Sequence, residues 1–291
     1  MSNPSSEYDN KIVVGDVGSV LRDAPFLSID CVVTSPPYFN LRKYTDNDAE
    51  IGREETVDEY LENLVNVFGE AARHMHSMGS IWVNLGDNFD EGQPKLVPWK
   101  FMFAMIERGF QLRNIVMWYK VDAMSESTTR RFSQKYEPFF WFTISDSYYF
   151  NYEAATIPCR VSTVERMENP FYHNKGHDVS RMAGMIGDMR HKVDDYLERG
   201  VNAGDIWPIM CNHEKVKHSA PYPVELIVRP IVATCPPGGL VFDPFMGSGT
   251  TALAVTKIGG GRRFYGTDIN PESVEEARGR IAEDLAQGQL F

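Results

Sequence analysis

Residues 243–251 read Asp-Pro-Phe-Met-Gly-Ser-Gly-Thr-Thr and lie between a short strand pattern and a helical pattern. Glycines at such a turn let the backbone approach a ligand closely, and the helix that follows offers unpaired N–H groups to an anionic group. The next strand pattern ends at Asp268, where a carboxylate can accept hydrogen bonds from ribose hydroxyls. The glycine turn and Asp268 together predict a binding site for a ligand that contains adenosine. A glycine turn beside an unrelated surface acid is the alternative.

A second motif, Ser35-Pro36-Pro37-Tyr38, follows the β-branched and apolar run 29–34. The prolines fix the backbone after a buried strand, the serine supplies a hydroxyl, and the tyrosine supplies an aromatic face. Oxygen atoms of the motif can accept hydrogen bonds from the N–H groups of an amine while the ring that carries the amine stacks on the aromatic plane. The motif therefore predicts a slot for a planar, amine-bearing group. The alternative is a proline turn at a strand end with Tyr38 packed in the core.

Strand patterns alternate with helical patterns along most of the chain, which predicts an α/β fold with a mostly parallel sheet and helices on both faces. The predicted strands cover residues 11–14, 29–34, 80–85, 114–118, 138–144, 240–242 and 263–267. The predicted helices cover residues 56–75, 99–107, 251–258 and 271–285. Thr56 and Glu59 resemble a capping box at the start of the first of these helices. The polar region 150–215 interrupts the alternation and predicts an insertion or small subdomain.

The net charge of −11 is unusual for a protein that binds nucleic acid, but the charge is unevenly distributed. Residues 95–135 contain eight Lys or Arg and three Asp or Glu, and phosphate binding needs local rather than average positive charge. In this segment, hydroxyl side chains are interleaved with Arg130, Arg131 and Lys135, a composition that suits phosphate contacts. A solvated basic face is the alternative.

Cysteine usage and hydropathy favour a cytoplasmic protein. The four cysteines stand far apart, which is typical of reduced thiols. Cys211 with His213 and His218, or with His173 and His177, matches no standard zinc spacing, so no metal site is predicted. Charges or Pro and Gly interrupt every apolar run and the N-terminus has no signal-peptide pattern, so no membrane association is expected.

The two motifs together resemble those of the amino-group DNA methyltransferases. The tetrapeptide 35–38 is similar to the catalytic motif of that family, and the stretch 243–250 is similar to its motif for S-adenosyl-L-methionine (AdoMet). The catalytic motif comes about two hundred residues before the cofactor motif, an order that resembles the β class, a circularly permuted AdoMet-dependent methyltransferase fold. Further similarity covers residues 14–16, 80–87, 205–207 and 218–226. It fails over 150–204, where the family has its variable target-recognition region.

The resemblance implies a domain organisation and a set of site residues. Residues 1–149 would form the catalytic half of the methyltransferase domain, 150–215 a small target-recognition insertion, and 216–291 the AdoMet-binding half. The catalytic residues would be Ser35, Pro36, Pro37 and Tyr38. The cofactor-binding residues would be Asp16, Asp243, Pro244, Phe245, Gly247, Ser248, Gly249, Thr250, Asp268 and Asn270. DNA contacts are expected from Arg130, Arg131 and Lys135.

The resemblance also implies a reaction, which is methyl transfer from AdoMet to the exocyclic amine of a base flipped out of double-stranded DNA. Relatives with serine at the first position of the tetrapeptide are mostly cytosine-N4 enzymes, and those with aspartate are mostly adenine enzymes. N4 of cytosine is therefore the expected target and N6 of adenine the alternative. A cognate restriction endonuclease and a homodimer are further expectations.

Three other functions remain as alternatives. The first is an AdoMet-dependent methyltransferase that acts on RNA or a small molecule. The second is a DNA-binding module that retains an inactive methyltransferase fold, although both motifs are intact. The third is a dinucleotide-dependent oxidoreductase, whose fingerprint has a third glycine that the turn at residues 243–251 lacks.

Overall fold

The structure is a computed structural model that describes residues 8–41, 50–158, 198–212 and 221–288. The chain divides into a large unit, Met1–Phe150 with Asp205–Phe291, and a small unit, Asn151–Gly204. Residues 159–197, most of the predicted target-recognition insertion, lie outside the described residues. The histidines of the zinc alternative, at positions 173, 177, 213 and 218, lie outside them as well.

The described strands are β1 (Lys11–Val14), β2 (Ile29–Thr34), β3 (Met75–Asn84), β4 (Phe89–Asp90), β5 (Gln93–Pro94), β6 (Gln111–Lys120), β7 (Tyr136–Thr143), β8 (Thr156–Ile157), β9 (Val201–Asn202), β10 (Ile206–Ile209), β11 (Leu240–Asp243) and β12 (Arg263–Asp268). The described α-helices are α1 (Val17–Asp23), α2 (Val57–Ala72), α3 (Val97–Glu107), α4 (Val224–Thr234), α5 (Thr250–Ile258) and α6 (Pro271–Gly288). The predicted capping box is confirmed, since the Thr56 and Glu59 side chains each accept the other residue's backbone N–H.

One eight-stranded sheet runs through the large unit in the order β1-β12-β11-β2-β3-β7-β6-β10. Each neighbouring pair in the run β1-β12-β11-β2-β3 is parallel, and so is the pair of β6 and β10. Strand β7 is antiparallel to β3 and to β6. The mostly parallel α/β sheet is therefore confirmed. Strand β2, early in the chain, lies beside β11, late in the chain, which is the permuted order that the resemblance implies.

Helices cover both faces of this sheet. In β7, Phe140 and Phe142 belong to a core that also contains side chains of α1, α2 and α3. Phe139 and Trp141 alternate with them and belong to a second core, with side chains of α4, α5 and α6. Successive side chains of a strand point to opposite faces, so a sheet buried on both faces needs apolar residues at consecutive positions.

The small unit contains, in its described part, a 3₁₀ turn at Glu153–Ala155 and the antiparallel pair of β8 and β9. The insertion over 150–215 stays a prediction, and its bounds include β10 as well as the small unit. Strand β10 pairs in parallel with β6 at the edge of the large sheet, with Ile206 opposite Met117. Trp207 is buried in the second core, and this burial holds the strand in the large unit.

Candidate active site

The two motifs meet because β2 and β11 are parallel neighbours, with Val241 opposite Cys31 and Phe242 opposite Val32. The segments that follow the two strands therefore leave the sheet at the same edge. There the Thr34 hydroxyl donates to the Asp243 carboxylate over 2.6 Å. The sheet continues in opposite directions from this pair, to β12 on one side and to β3 on the other. Such a switch in strand order is where open α/β sheets bind ligands.

A cavity of about 390 Å³ opens at this edge. All four residues of the tetrapeptide 35–38 line it. Six residues of the predicted cofactor set also line it: Asp243, Phe245, Gly247, Ser248, Thr250 and Asp268. The remaining wall includes residues outside the predicted set of site residues, among them Asn84, Trp118, Lys120, Glu137 and Tyr222. The structure thus joins the predicted amine slot and the predicted adenosine site in one cavity.

Asp243 anchors the junction of the two motifs, and only 1% of it is exposed. Its Oδ1 accepts from the Thr34 hydroxyl and the Phe245 backbone N–H, and its Oδ2 accepts from the hydroxyls of Thr251 and Tyr222. Burial raises the pKa of this carboxyl to about 6, and the hydrogen bonds from Thr251 and Thr34 oppose the rise. Asp243 therefore ties β2, the glycine turn and α5 together at the cavity wall.

The turn between β11 and α5 needs glycine at two positions in the left-handed region, Gly247 at φ 52° and Gly249 at φ 86°. A Cβ at Gly249 would also lie 2.9 Å from the Cβ of Ala277 in α6. The hydroxyl of Thr250, the first residue of α5, is buried at the cavity and has no hydrogen-bond partner within the described ranges. An unsatisfied buried hydroxyl beside a helix N-terminus fits an anionic ligand group such as the carboxylate of AdoMet.

Asp268, at the end of β12, supplies a second carboxylate to the cavity. Its Oδ2 accepts from the Gly247 N–H at 2.8 Å, and its Oδ1 accepts from the Asn270 N–H at 2.9 Å. Burial raises its pKa. Each carboxylate oxygen has two lone pairs, so both oxygens keep acceptor capacity for the hydroxyls of a ribose. The residues present at this end of the cavity therefore fit the adenosine part of AdoMet.

The other four predicted cofactor residues do not line this cavity. The Asp16 side chain accepts a backbone N–H at the start of α1, and the Asn270 side chain does the same at the start of α6. The Pro244 carbonyl accepts a hydroxyl from β12, and Gly249 permits the turn. These residues shape the frame of the cavity in this structure.

The tetrapeptide is held from two sides. The Pro37 carbonyl accepts from the Tyr60 hydroxyl of α2 at 2.8 Å. The Tyr38 hydroxyl donates to Glu137 Oε2 at 2.9 Å and lies 3.3 Å from Asn84 Oδ1. The half-buried Tyr38 side chain contacts the first core and also lines the cavity, so the two interpretations of this tyrosine each describe part of its surroundings.

The predicted DNA-contact residues lie on the connection between β6 and β7. The Arg131 guanidinium pairs with Glu126, and its central carbon lies 3.6 Å from the centroid of the Phe89 ring. The Lys135 ammonium donates to a backbone carbonyl of the same connection. The Arg130 side chain is exposed. Two of the three cations are therefore engaged within the protein, a feature that composition does not reveal.

Comparison with known proteins identifies the family. The model for N6 and N4 methyltransferases, described as DNA methylase, matches residues 29–279. The chain belongs to this family. This methylase is 31% identical to Type II methyltransferase M.Cfr9I of Citrobacter freundii, over 92% of this chain and 86% of that protein. It is 30% identical to Type II methyltransferase M.XycI of Xanthomonas campestris pv. cyanopsidis, over 94% and 87% of the two chains.

Solved structures confirm the fold of this methylase. The PvuII DNA methyltransferase (cytosine-N4-specific) matches with a TM-score of 0.67 and 18% identity, over 94% of this chain and 86% of that chain. The M1.HpyAVI–SAM complex matches with a TM-score of 0.54 and 19% identity, over 93% and 98% of the two chains. This methylase is an AdoMet-dependent enzyme that methylates amino groups of DNA bases. Across the ranges described above, no helix has both the length and the apolar character to cross a membrane.

Proposed function

We propose that this methylase transfers a methyl group from AdoMet to N4 of cytosine in a base flipped out of double-stranded DNA. The observation that carries the proposal is that Ser35 lines the same cavity as the glycine turn and Asp268. The acceptor at the first position of the tetrapeptide is thus a hydroxyl on the wall that an amine would approach. Relatives with serine at this position are mostly cytosine-N4 enzymes, and this association favours cytosine over adenine.

The proposed chemistry follows from the weakness of the nucleophile. The lone pair of the exocyclic amine is delocalised into the ring of the base. When the Ser35 hydroxyl oxygen and the Pro36 carbonyl oxygen accept hydrogen bonds from the amine N–H groups, they hold the nitrogen nearer to tetrahedral, with its lone pair directed outward. AdoMet would supply a methyl group activated on a sulfonium, whose S–C bond would break to leave a neutral thioether as the N–C bond forms, and the surplus proton of the methylated amine would leave to solvent. The protein therefore contributes positioning more than acid–base catalysis.

The proposed binding roles divide the cavity between cofactor and base. Asp268 accepts hydrogen bonds from the ribose hydroxyls, and the Thr250 hydroxyl with the N-terminus of α5 binds the carboxylate of AdoMet. Phe245 contributes an apolar wall at the same end of the cavity. At the other end, the ring of Tyr38 provides the surface on which the flipped base stacks.

Double-stranded DNA is the proposed macromolecular partner, and a cognate restriction endonuclease and a homodimer stay predictions from the resemblance.

Within the basic connection, the segment between β6 and β7 that carries Arg130, Arg131 and Lys135, we assign phosphate contact first to the exposed Arg130. Arg130→Ala is expected to weaken binding to all DNA sequences and to reduce the salt slope of the affinity by roughly one unit. Fluorescence anisotropy over a salt series measures the slope. Arg73→Ala, at an exposed arginine paired with Glu70 after α2, is the matched control. An Arg130→Ala protein with the wild-type slope would contradict the assignment.

The base assignment is tested by product analysis of DNA from cells that express the chain. Nucleosides are separated by chromatography and identified by mass, and sequencing that detects modified bases gives the site. We expect N4-methylcytosine at one short sequence. N6-methyladenine in its place would refute the assignment to cytosine, and methyl groups found in RNA and absent from DNA would refute DNA as the substrate.

A further inference from the structure

Glu137 lies in the cavity although neither motif includes it. It is the second residue of β7, its side chain is 13% exposed, and it lines the cavity beside the tetrapeptide. Its two carboxylate oxygens have different partners. Oε2 accepts from the Tyr38 hydroxyl, and Oε1 accepts from the ammonium group of Lys120.

Lys120 holds this carboxylate from the neighbouring strand. It is the last residue of β6, and its Nζ also lies 4.7 Å from the centroid of the Trp118 ring. A half-buried carboxylate is stable only when its charge is compensated, and the adjacent ammonium supplies that compensation. The carboxylate that faces Tyr38 is therefore fixed by a second side chain on the rigid sheet.

The remaining contacts of Tyr38 leave its ring little freedom. Its hydroxyl also lies 3.3 Å from Asn84 Oδ1, and Gly86 packs against the edge of its ring. A Cβ at Gly86 would lie 2.4 Å from Tyr38 Cε2 and 3.1 Å from Glu137 Oε1. Any larger residue at position 86 would therefore clash with the Tyr38 ring unless the ring moved. Burial raises the pKa of the Tyr38 phenol well above its ordinary value, and the nearby charge of Glu137 raises it further. The hydroxyl therefore stays protonated and acts as a donor.

We propose that Glu137, held by Lys120, is the positioning residue for Tyr38, because its carboxylate fixes the phenol hydroxyl and with it the plane on which the flipped base stacks. The inference rests on the proposed stacking role of Tyr38. If the aromatic face alone mattered, phenylalanine would replace Tyr38 with little loss. The contact with Glu137 instead makes the hydroxyl necessary, and a hydrogen bond to a charged group sets the scale of the loss at about ten- to a hundredfold in rate.

The test is a double-mutant cycle on Tyr38→Phe and Glu137→Ala, with methyl incorporation into unmethylated genomic DNA as the assay. Each single variant is expected to lower kcat by about ten- to a hundredfold with little change in the KM for AdoMet. The double variant is expected to be no worse than the more impaired single variant, since both changes break the contact between Tyr38 and Glu137. Glu137→Gln, which keeps an acceptor oxygen, is expected to recover part of the rate.

Asp146→Ala is the matched control, because it removes an exposed partner of Arg113, an ion pair at the opposite ends of β6 and β7. It is expected to retain the wild-type kcat. Multiplicative losses in the double variant, or a wild-type kcat for Tyr38→Phe or for Glu137→Ala, would overturn the proposal, and thermal melts identify any variant that fails to fold. The coupling is read from total methyl incorporation, so a wild-type product of N6-methyladenine would refute the base assignment and leave this test intact.

Discussion

Ser35→Ala is expected to lower kcat by about 10²–10³ while the affinity for DNA and for AdoMet changes little. The hydroxyl lines the cavity at the point where β2 ends, and its proposed acceptor role matters most as the amine nitrogen becomes tetrahedral. An interaction that strengthens toward the transition state affects kcat more than binding. The expected loss in kcat is of the size found when one preorganised hydrogen-bonding group is removed from an active site.

Single-turnover methylation, with calorimetry for AdoMet and anisotropy for DNA, separates the rate effect from binding. Ser145→Ala is the control, since this half-buried serine donates to backbone carbonyls outside the cavity. The role of Ser35 would be refuted by a folded Ser35→Ala protein that binds both ligands and methylates at the wild-type rate. A variant that loses affinity and keeps kcat would place Ser35 in binding rather than in catalysis.

Asp243→Asn is expected to change how stability depends on pH. Burial raises the pKa of this carboxyl from 3.8 to about 6, so the folded state holds the proton more tightly than the unfolded state does. The contribution of Asp243 to stability is therefore complete below about pH 4 and is lost as the pH rises through about 6. Relative to Asp243→Asn, the wild type is expected to lose about 3 kcal/mol of stability over this interval.

Urea unfolding of both proteins at several pH values between about 4 and 7 measures the difference in free energy. Other titrating groups, including the half-buried Asp268, are present in both proteins and largely cancel. A pH-independent difference would show that Asp243 titrates alike in the folded and unfolded states. Asp243→Ala is expected to be less stable than Asp243→Asn, because it leaves the buried donors around this position without an acceptor.

Some elements were missed because tertiary contacts override local signals. Helix α4 contains Pro230, which removes a backbone donor and normally ends a helix. Leu226, Ile227 and Ile231 of the same helix are buried in the second core, and this burial offsets the cost. Helix α1 is only seven residues long and begins at the Asp16 cap, so its apolar pattern is too short to recognise.

The basic connection shows a different limit of sequence reasoning. Composition placed Arg130, Arg131 and Lys135 together as phosphate contacts. The structure places the Arg131 guanidinium between Glu126 and the ring of Phe89, a residue more than forty positions away in the chain. Charge counts cannot reveal such a pairing, because it depends on how two distant loops approach each other.

Local sequence patterns predict the strand before Ser35, the glycine turn after Asp243 and the acid at 268, because β-branched runs, glycine and proline act through local backbone geometry. The spacing and order of these motifs also indicate the family. The identity of the other side chains that complete the cavity depends on tertiary contacts. Glu137 contacts Tyr38, and Lys120 contacts Glu137, because β3, β7 and β6 follow β2 in the sheet. Strand order is set by the packing of both faces rather than by any local pattern.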